Sequence, residues 1–158
     1  PELVVVPPPP TAPPLDVVIQ PRSGSQVTGT ASFEPVEGGV RIRAEVHGAT
    51  PRLHGFHIHE VGDCSAPDAS SAGEHFNPTG DPHGLATEPV RHLGDLGNLE
   101  VGPDGHGRFD MTVMGASLEP GDPRSFLDRA IVLHAEPDTG EQPSGESGAR
   151  VGCGVIAR

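Results

Sequence analysis

The sequence predicts an all-β domain: an antiparallel sandwich or Greek-key barrel of about eight short strands, with two long functional loops. Three observations carry this. Short segments of alternating polarity recur between turns rich in Gly and Pro. No segment sustains a helical period or an internal repeat. Two stretches, residues 61–91 and 135–149, are longer than ordinary connections and rich in Gly, Pro, Ser and acids, the mark of functional loops.

The strands follow in order. Residues 15–20 (LDVVIQ) are a short apolar run ended by Pro21, and residues 26–33 (QVTGTASF) alternate loosely. Residues 40–46 (VRIRAEV) alternate cleanly, with Val40, Ile42, Ala44 and Val46 on one face and Arg41, Arg43 and Glu45 on the other. Residues 55–60 form the fourth candidate. Residues 96–101 and 108–114 are joined by the turn GPDGHG, and residues 130–134 (AIVLH) and 150–157 (RVGCGVIA) complete the set. Gly and Pro, 22 and 19 in number, would signal disorder if they lacked such placement. Here they punctuate strands.

A chain of 158 residues buries one core. The sequence divides into residues 1–14 (PELVVVPPPPTAPP), an extended polyproline-like tether, and a domain over residues 15–158. The chain starts without Met, so something upstream is expected to have been removed, by processing or by design, and a stiff spacer before a compact domain suggests export to a periplasm or cell envelope. A net charge of −12, with all ten cations arginine, excludes nucleic acid as a partner, because no basic patch could displace phosphate counterions. No apolar run reaches the roughly 18 to 20 residues of a helical membrane span.

Nine histidines are the first sign of metal chemistry. His57 and His59 lie two apart in a predicted strand, so both rings leave the same face. His75, His83, His92 and Asp95 fall in or just after the first long loop, and His134 ends a strand. A loop with few core residues needs something to order it, and a metal ion with several loop-borne ligands would do so. Three or four imidazoles without a thiolate suit copper in tetragonal geometry. Three imidazoles with one carboxylate suit a closed zinc site. Cys64 and Cys153, 89 residues apart, are either two buried thiols or one bridge closing most of the domain.

The segments GFHIHEVGDC, GEHFNPTGDPHG, RHLGDLGN, IVLHAEPD and GARVGCGVI resemble Cu,Zn superoxide dismutases, over about residues 16–156. The resemblance implies an eight-stranded antiparallel Greek-key barrel and copper-dependent disproportionation of superoxide to dioxygen and hydrogen peroxide, with a structural zinc. It implies His57, His59, His75 and His134 as copper ligands and His75, His83, His92 and Asp95 as zinc ligands, with His75 bridging. Asp138 would link His57 to His83, Arg150 would hold the anionic substrate, and Cys64 and Cys153 would form a disulfide. His75 and Arg150 would thus be the catalytic residues. A homodimer is one assembly such a chain could adopt.

The remaining residues take plainer roles. By the same resemblance His54 is a structural hydrogen-bonder. His47 and His106 are expected to face solvent, and Met111 and Met114 to fill core or sheet surface. Cys64 directly after Asp63 is similar to bacterial secreted members, whereas HFNP and LGDLGN are similar to eukaryotic ones. Across residues 135–150 the only cation is Arg150, against Glu136, Asp138, Glu141 and Glu146. Weak electrostatic steering of an anion is expected unless Arg52, Arg91 or Arg124 folds near the site. A copper or zinc buffer and a structural envelope domain are the competing readings. The envelope domain gives no reason for His57, His59 and His134 to be present together. Against the buffer, the resemblance implies that non-catalytic relatives commonly lack copper ligands or the arginine, and this chain lacks none of them.

Overall fold

The computed structural model describes residues 12–85, 91–140 and 147–158. Among these, eight strands form a closed antiparallel barrel: β1 (Leu15–Pro21), β2 (Thr28–Val36), β3 (Gly39–His47), β4 (Leu53–His59), β5 (Asp95–Val101), β6 (Gly107–Met114), β7 (Arg129–His134) and β8 (Arg150–Ile156). Their order around the barrel is β1-β2-β3-β6-β5-β4-β7-β8. The β3–β4 and β6–β7 connections therefore cross the barrel ends, which is the Greek-key pattern. All eight predicted strands are present. β2 is displaced, running on through Pro35 and Val36, because β3 continues to pair with it there. β1 begins opposite Phe33, so Pro35 lies beyond its reach, where a residue without an N–H can sit.

The alternation of β3 is realised: Val40, Ile42, Ala44 and Val46 are buried and their neighbours turn outward. In a chain without Trp or Tyr, the five phenylalanines carry the aromatic packing. Phe33 meets Phe126 edge-on at 6.4 Å and Phe56 meets Phe109 edge-on at 5.1 Å. Such pairs add about 0.5 to 1.5 kcal/mol beyond area burial.

β4 is buried on both faces from His54 to His59, as its neighbour β7 is from Ala130 to His134. Phe56 and Ile58 enter the core. His57 and His59 leave the opposite, outer face and are buried there as well. The cover comes from the described parts of the two long connections, residues 60–85 and 91–94 and residues 135–140 and 147–149. Among the described residues, one 3₁₀ turn, Ser70–Ala72, interrupts the first. A second small apolar cluster lies under this cover: Ala69 and Ala72 from the loop pack on Ala130 and Val132 of β7, beside Cys64 and Cys153. The two cysteines are bridged, with Cα atoms 5.8 Å apart.

At the amino end, residues 1–11 of the predicted tether lie outside the described residues. Ala12 packs against the core, and its N–H donates to Glu119 Oε1 at 3.0 Å. Arg158 reaches the carbonyl of Pro13.

Candidate metal centre

The barrel wall supplies three of the site histidines. His57 and His59 come from the outer face of β4, and His134 from the end of β7, where the β7–β8 register shifts between Leu133 and His134. β4 is itself irregular against β5, with a bulge between Gly55 and His57. Bulges of this kind re-aim side chains beside functional sites.

His75 arrives from the loop. Residues 74–76 lie along the end of β4 as a short added strand: Glu60 N–H donates to Glu74 O, Phe76 N–H to Ile58 O, and His59 and His75 form a bridge pair. Gly94 closes this patch, its N–H donating to Phe76 O and its carbonyl accepting from Ile58 N–H. A Cβ at Gly94 would meet the Ile58 carbonyl oxygen, so only glycine allows the approach.

The ligand-capable atoms fall into overlapping groups: His57, His59, His75 and His134; His75, His83, His92 and Asp95; and His57, His83 and Asp138. Within each group they lie within 4.8 Å of one another. His75 belongs to both four-membered sets. Every residue named in advance as a ligand or linker falls in one of these groups.

Hydrogen bonding at the far ring nitrogens sets the tautomers of the first set. His57 Nε2–H donates to Asp138 Oδ2 (2.7 Å), His59 Nδ1–H to the Gly73 carbonyl (2.8 Å) and His134 Nδ1–H to the Gly148 carbonyl (3.4 Å). Each ring then turns a lone pair inward. His57 Nδ1 is fully buried with no hydrogen-bond partner, and His59 Nε2 faces His134 Nε2 at 3.3 Å. Convergent lone pairs in a dry site repel one another unless a cation lies between them. Burial holds these rings neutral. It lowers His57 to about 4, against the pull of Asp138, and takes His59 and His134 well below the ordinary histidine value, helped by neighbouring rings and by Arg150.

The second set converges on one carboxylate. Nδ1 of His75, His83 and His92 lies 2.9, 2.8 and 3.3 Å from the oxygens of Asp95. Asp95 also accepts N–H bonds from Gly84 and His92. Although burial opposes ionisation, hydrogen bonds from His75 and His83 hold its carboxyl far below the usual range. His83 stands between two carboxylates, with Nε2 2.8 Å from Asp138 Oδ1 and Nδ1 2.8 Å from Asp95 Oδ2. Burial lowers its pKa, but both carboxylates outweigh this and raise it to about 9. A position that favours an extra proton so strongly also favours a metal cation. Three nitrogens and a carboxylate suit zinc, and the all-imidazole set suits copper.

Asn98 is a positioning residue to which the sequence assigned no role. Its side-chain amide clamps the backbone of Asp138, accepting from Asp138 N–H (2.6 Å) and donating to Asp138 O (3.1 Å). The signal was its place in the LGN segment directly after Asp95.

Arg150 is half-buried at the start of β8, with Nη1 2.9 Å from the Ala69 carbonyl. Burial lowers its pKa against the pull of Glu74 and Asp68, which face it. Arg52 is paired with Glu136 at 2.9 Å, and Arg91 Nη1 caps the carbonyls of His92, Leu93 and Asp95. Glu141 and Glu146 lie outside the described residues.

His54 is the buried hydrogen-bonder expected, bonded to the carbonyls of His134 and Thr50 at 2.8 Å each. His47 is exposed as expected. His106 corrects the expectation: the β5–β6 turn folds onto the end of β3, stacking His106 on His47 at 4.4 Å and bonding it to Glu45 at 3.0 Å. Met114 is 61% exposed, a sheet-surface residue.

The family model for copper/zinc superoxide dismutase (SODC) matches residues 27–156. The chain is 41% identical to a Cu-Zn superoxide dismutase 2 of Brassica juncea over 143 residues, 85% of this chain and 92% of the relative. It is 40% identical to a Cu-Zn superoxide dismutase of Onchocerca volvulus over 146 residues, 85% of this chain and 90% of the relative. An extracellular Cu-Zn superoxide dismutase of Brugia pahangi is 38% identical over 83% of this chain and 69% of its own length. Among solved structures, a double mutant of a superoxide-dismutase-like protein from Bacillus subtilis superposes with a TM-score of 0.81 at 38% identity, covering 90% of this chain and 97% of that one. The clock protein EA4 superposes equally well, TM-score 0.81, at 32% identity over 97% of this chain and 98% of that one. Fold, paired donor sets and sequence agree: the chain belongs to the copper/zinc superoxide dismutase family.

Proposed function

We propose that this chain disproportionates superoxide to dioxygen and hydrogen peroxide, with copper held by His57, His59, His75 and His134 and zinc held by His75, His83, His92 and Asp95. One observation carries the reading. His75 is common to both donor sets, its Nδ1 committed to Asp95 while its ring stacks on His57 at 4.0 Å. A metal buffer has no use for a shared imidazole.

Copper, when bound, supplies the one-electron exchange with superoxide, which zinc cannot. The residues of the chain do the rest. Asp138 holds the tautomers of His57 and His83 by accepting from both Nε2–H groups. His75 Nε2, the ring nitrogen left over on the copper side, is where the chain can carry a proton toward nascent peroxide. Arg150 holds the anion beside His59 and His134, because its fork of donors matches a small diatomic oxyanion. Burial of the rings keeps bulk water out of the site.

Export to a periplasm or cell envelope, with residues 1–14 as a spacer, is proposed with this activity. It is supported by the Cys64–Cys153 bridge, since disulfides persist in oxidising compartments, and by the extracellular relative. A homodimer is proposed on family membership alone, and sedimentation of the holoprotein decides it.

The test is superoxide dismutation by metal-reconstituted protein, with metal content assayed, beside a His134→Ala variant. Copper-dependent turnover lost in the variant supports the reading. Stoichiometric copper and zinc without turnover overturns it in favour of metal storage.

A further inference from the structure

The bonds of the β1–β2 turn assign a role to Arg22, a residue in no metal-binding motif. Arg22 Nε–H donates to the carbonyl of Cys64 at 2.6 Å, and its Nη1 donates to the Pro21 carbonyl at 2.7 Å. The same turn grips the start of β8. Arg22 N–H donates to Val151 O (2.9 Å), Ser23 Oγ–H to Arg150 O (2.7 Å) and Ser25 Oγ–H to Val151 O (2.6 Å). Ser23 N–H also donates to Pro67 O at 2.7 Å, with Ser23 in the left-handed region at φ 55°.

Residues 64–69 are thus held from two sides. The β1–β2 turn takes the carbonyls of Cys64 and Pro67, and Arg150 takes the carbonyl of Ala69. Arg150 is a cation that acts on His59 and His134, and it has a limited set of donors. Every carbonyl of this segment that Arg22 or Ser23 satisfies is one that Arg150 need not satisfy.

We propose that Arg22, with Ser23, is a positioning residue for anion binding: it fixes the disulfide segment and the Arg150 backbone together, leaving the outer guanidinium N–H groups of Arg150 aimed at the substrate. The inference rests on the proposed role of Arg150. Charge alone is not the device, because Nε and Nη1 act as a fork on two carbonyls, a geometry lysine cannot copy.

The experiment uses copper- and zinc-loaded protein and compares wild type with Arg22→Gln, Arg22→Lys and Ser23→Ala. Azide, a competing anion, is titrated by its absorption band with Cu(II), and dismutation rate is measured at low and at about 1 M non-coordinating salt, where the Debye length is about 3 Å. Arg22→Gln is expected to weaken azide binding and slow turnover by about tenfold, the usual order for an outer positioning partner. Metal content and disulfide stay intact, the loss persists at high salt, and Arg22→Lys recovers only part. Ser23→Ala, which removes one bond to the Arg150 carbonyl, gives a smaller loss of the same kind and serves if Arg22→Gln does not fold. Azide affinity unchanged in Arg22→Gln, or in Ser23→Ala alone if only that folds, overturns the proposal. So does full recovery by lysine with the effect erased by salt, since that is a field effect. Wild type that neither binds azide at copper nor turns over fails the functional reading itself, before any variant is compared.

Discussion

The carboxylate of Asp138 lies 2.7 Å from Nε2 of His57, on the opposite side of the ring from the unpartnered Nδ1. One side chain thereby decides which nitrogen of His57 keeps a free lone pair. The other oxygen of Asp138 does the same for His83 at 2.8 Å, so a single carboxylate sets the tautomers on both sides of His75.

Asp138→Asn keeps the volume but can accept through only one atom, so one of the two imidazoles loses its orienting acceptor. Zinc affinity is expected to fall by about 10- to 100-fold, with copper retained more weakly than in wild type. Competition titration with a chelator measures both. Unchanged zinc affinity would mean that Asp138 does not orient His83.

The bridge closes a loop of 89 residues between Cys64 and Cys153. The chain-entropy model gives about 4 to 5 kcal/mol for such a loop. With about 2 to 4 °C of Tm per kcal/mol at this size, metal-free Cys64→Ser is expected to melt about 10 °C or more below wild type. Calorimetry of the two apoproteins reads this directly.

The pH dependence of the metal-free protein has a definite sign. His57 titrates near 4 when folded, and His59 and His134 lie well below the ordinary value. Between about pH 6.5 and 4 the unfolded chain therefore binds more protons, and stability falls as pH falls through this window. His83, raised to about 9, acts in the other direction. It contributes stability that is fully present below about 6.5 and is lost as pH rises through 9. Apoprotein Tm should peak near neutral pH and decline on both sides, as a melting series across pH 4.5 to 9.5 would show.

Arg150 faces Asp68 and Glu74, while Arg52 is neutralised by Glu136 and Arg91 is spent on backbone carbonyls. A mouth so balanced steers anions weakly. The dismutation rate of the holoprotein should change less than about twofold between 10 and 150 mM salt, where a strongly steered enzyme falls steeply. Glu74→Gln should raise the rate at low salt, and stopped-flow assays over a salt series check both.

At Gly94, alanine would place a methyl against the Ile58 carbonyl and force apart the loop strand that carries His75. Gly94→Ala is expected to lose zinc while the barrel survives, because Gly94 ties the loop to β4 and takes part in no strand pair of the barrel. Circular dichroism beside metal analysis separates the two.

What the sequence determined by itself is what depends on near neighbours. Alternation in residues 40–46 fixed which side of β3 enters the core, and the spacing of His57 and His59 fixed their common face. Both follow from the two-residue period of a strand. The double burial of β4 was not legible this way, because the cover over His57 and His59 comes from loops whose own sequences have no period. Tertiary structure alone brought His75 between the two donor sets, turned the ring nitrogens inward by bonds to Asp138, Gly73 and Gly148, and set Arg22 against Cys64 across 42 residues of chain. The physical reason is locality. A side chain's direction is written in its strand, but its partner depends on which distant backbone the closed barrel lays beside it.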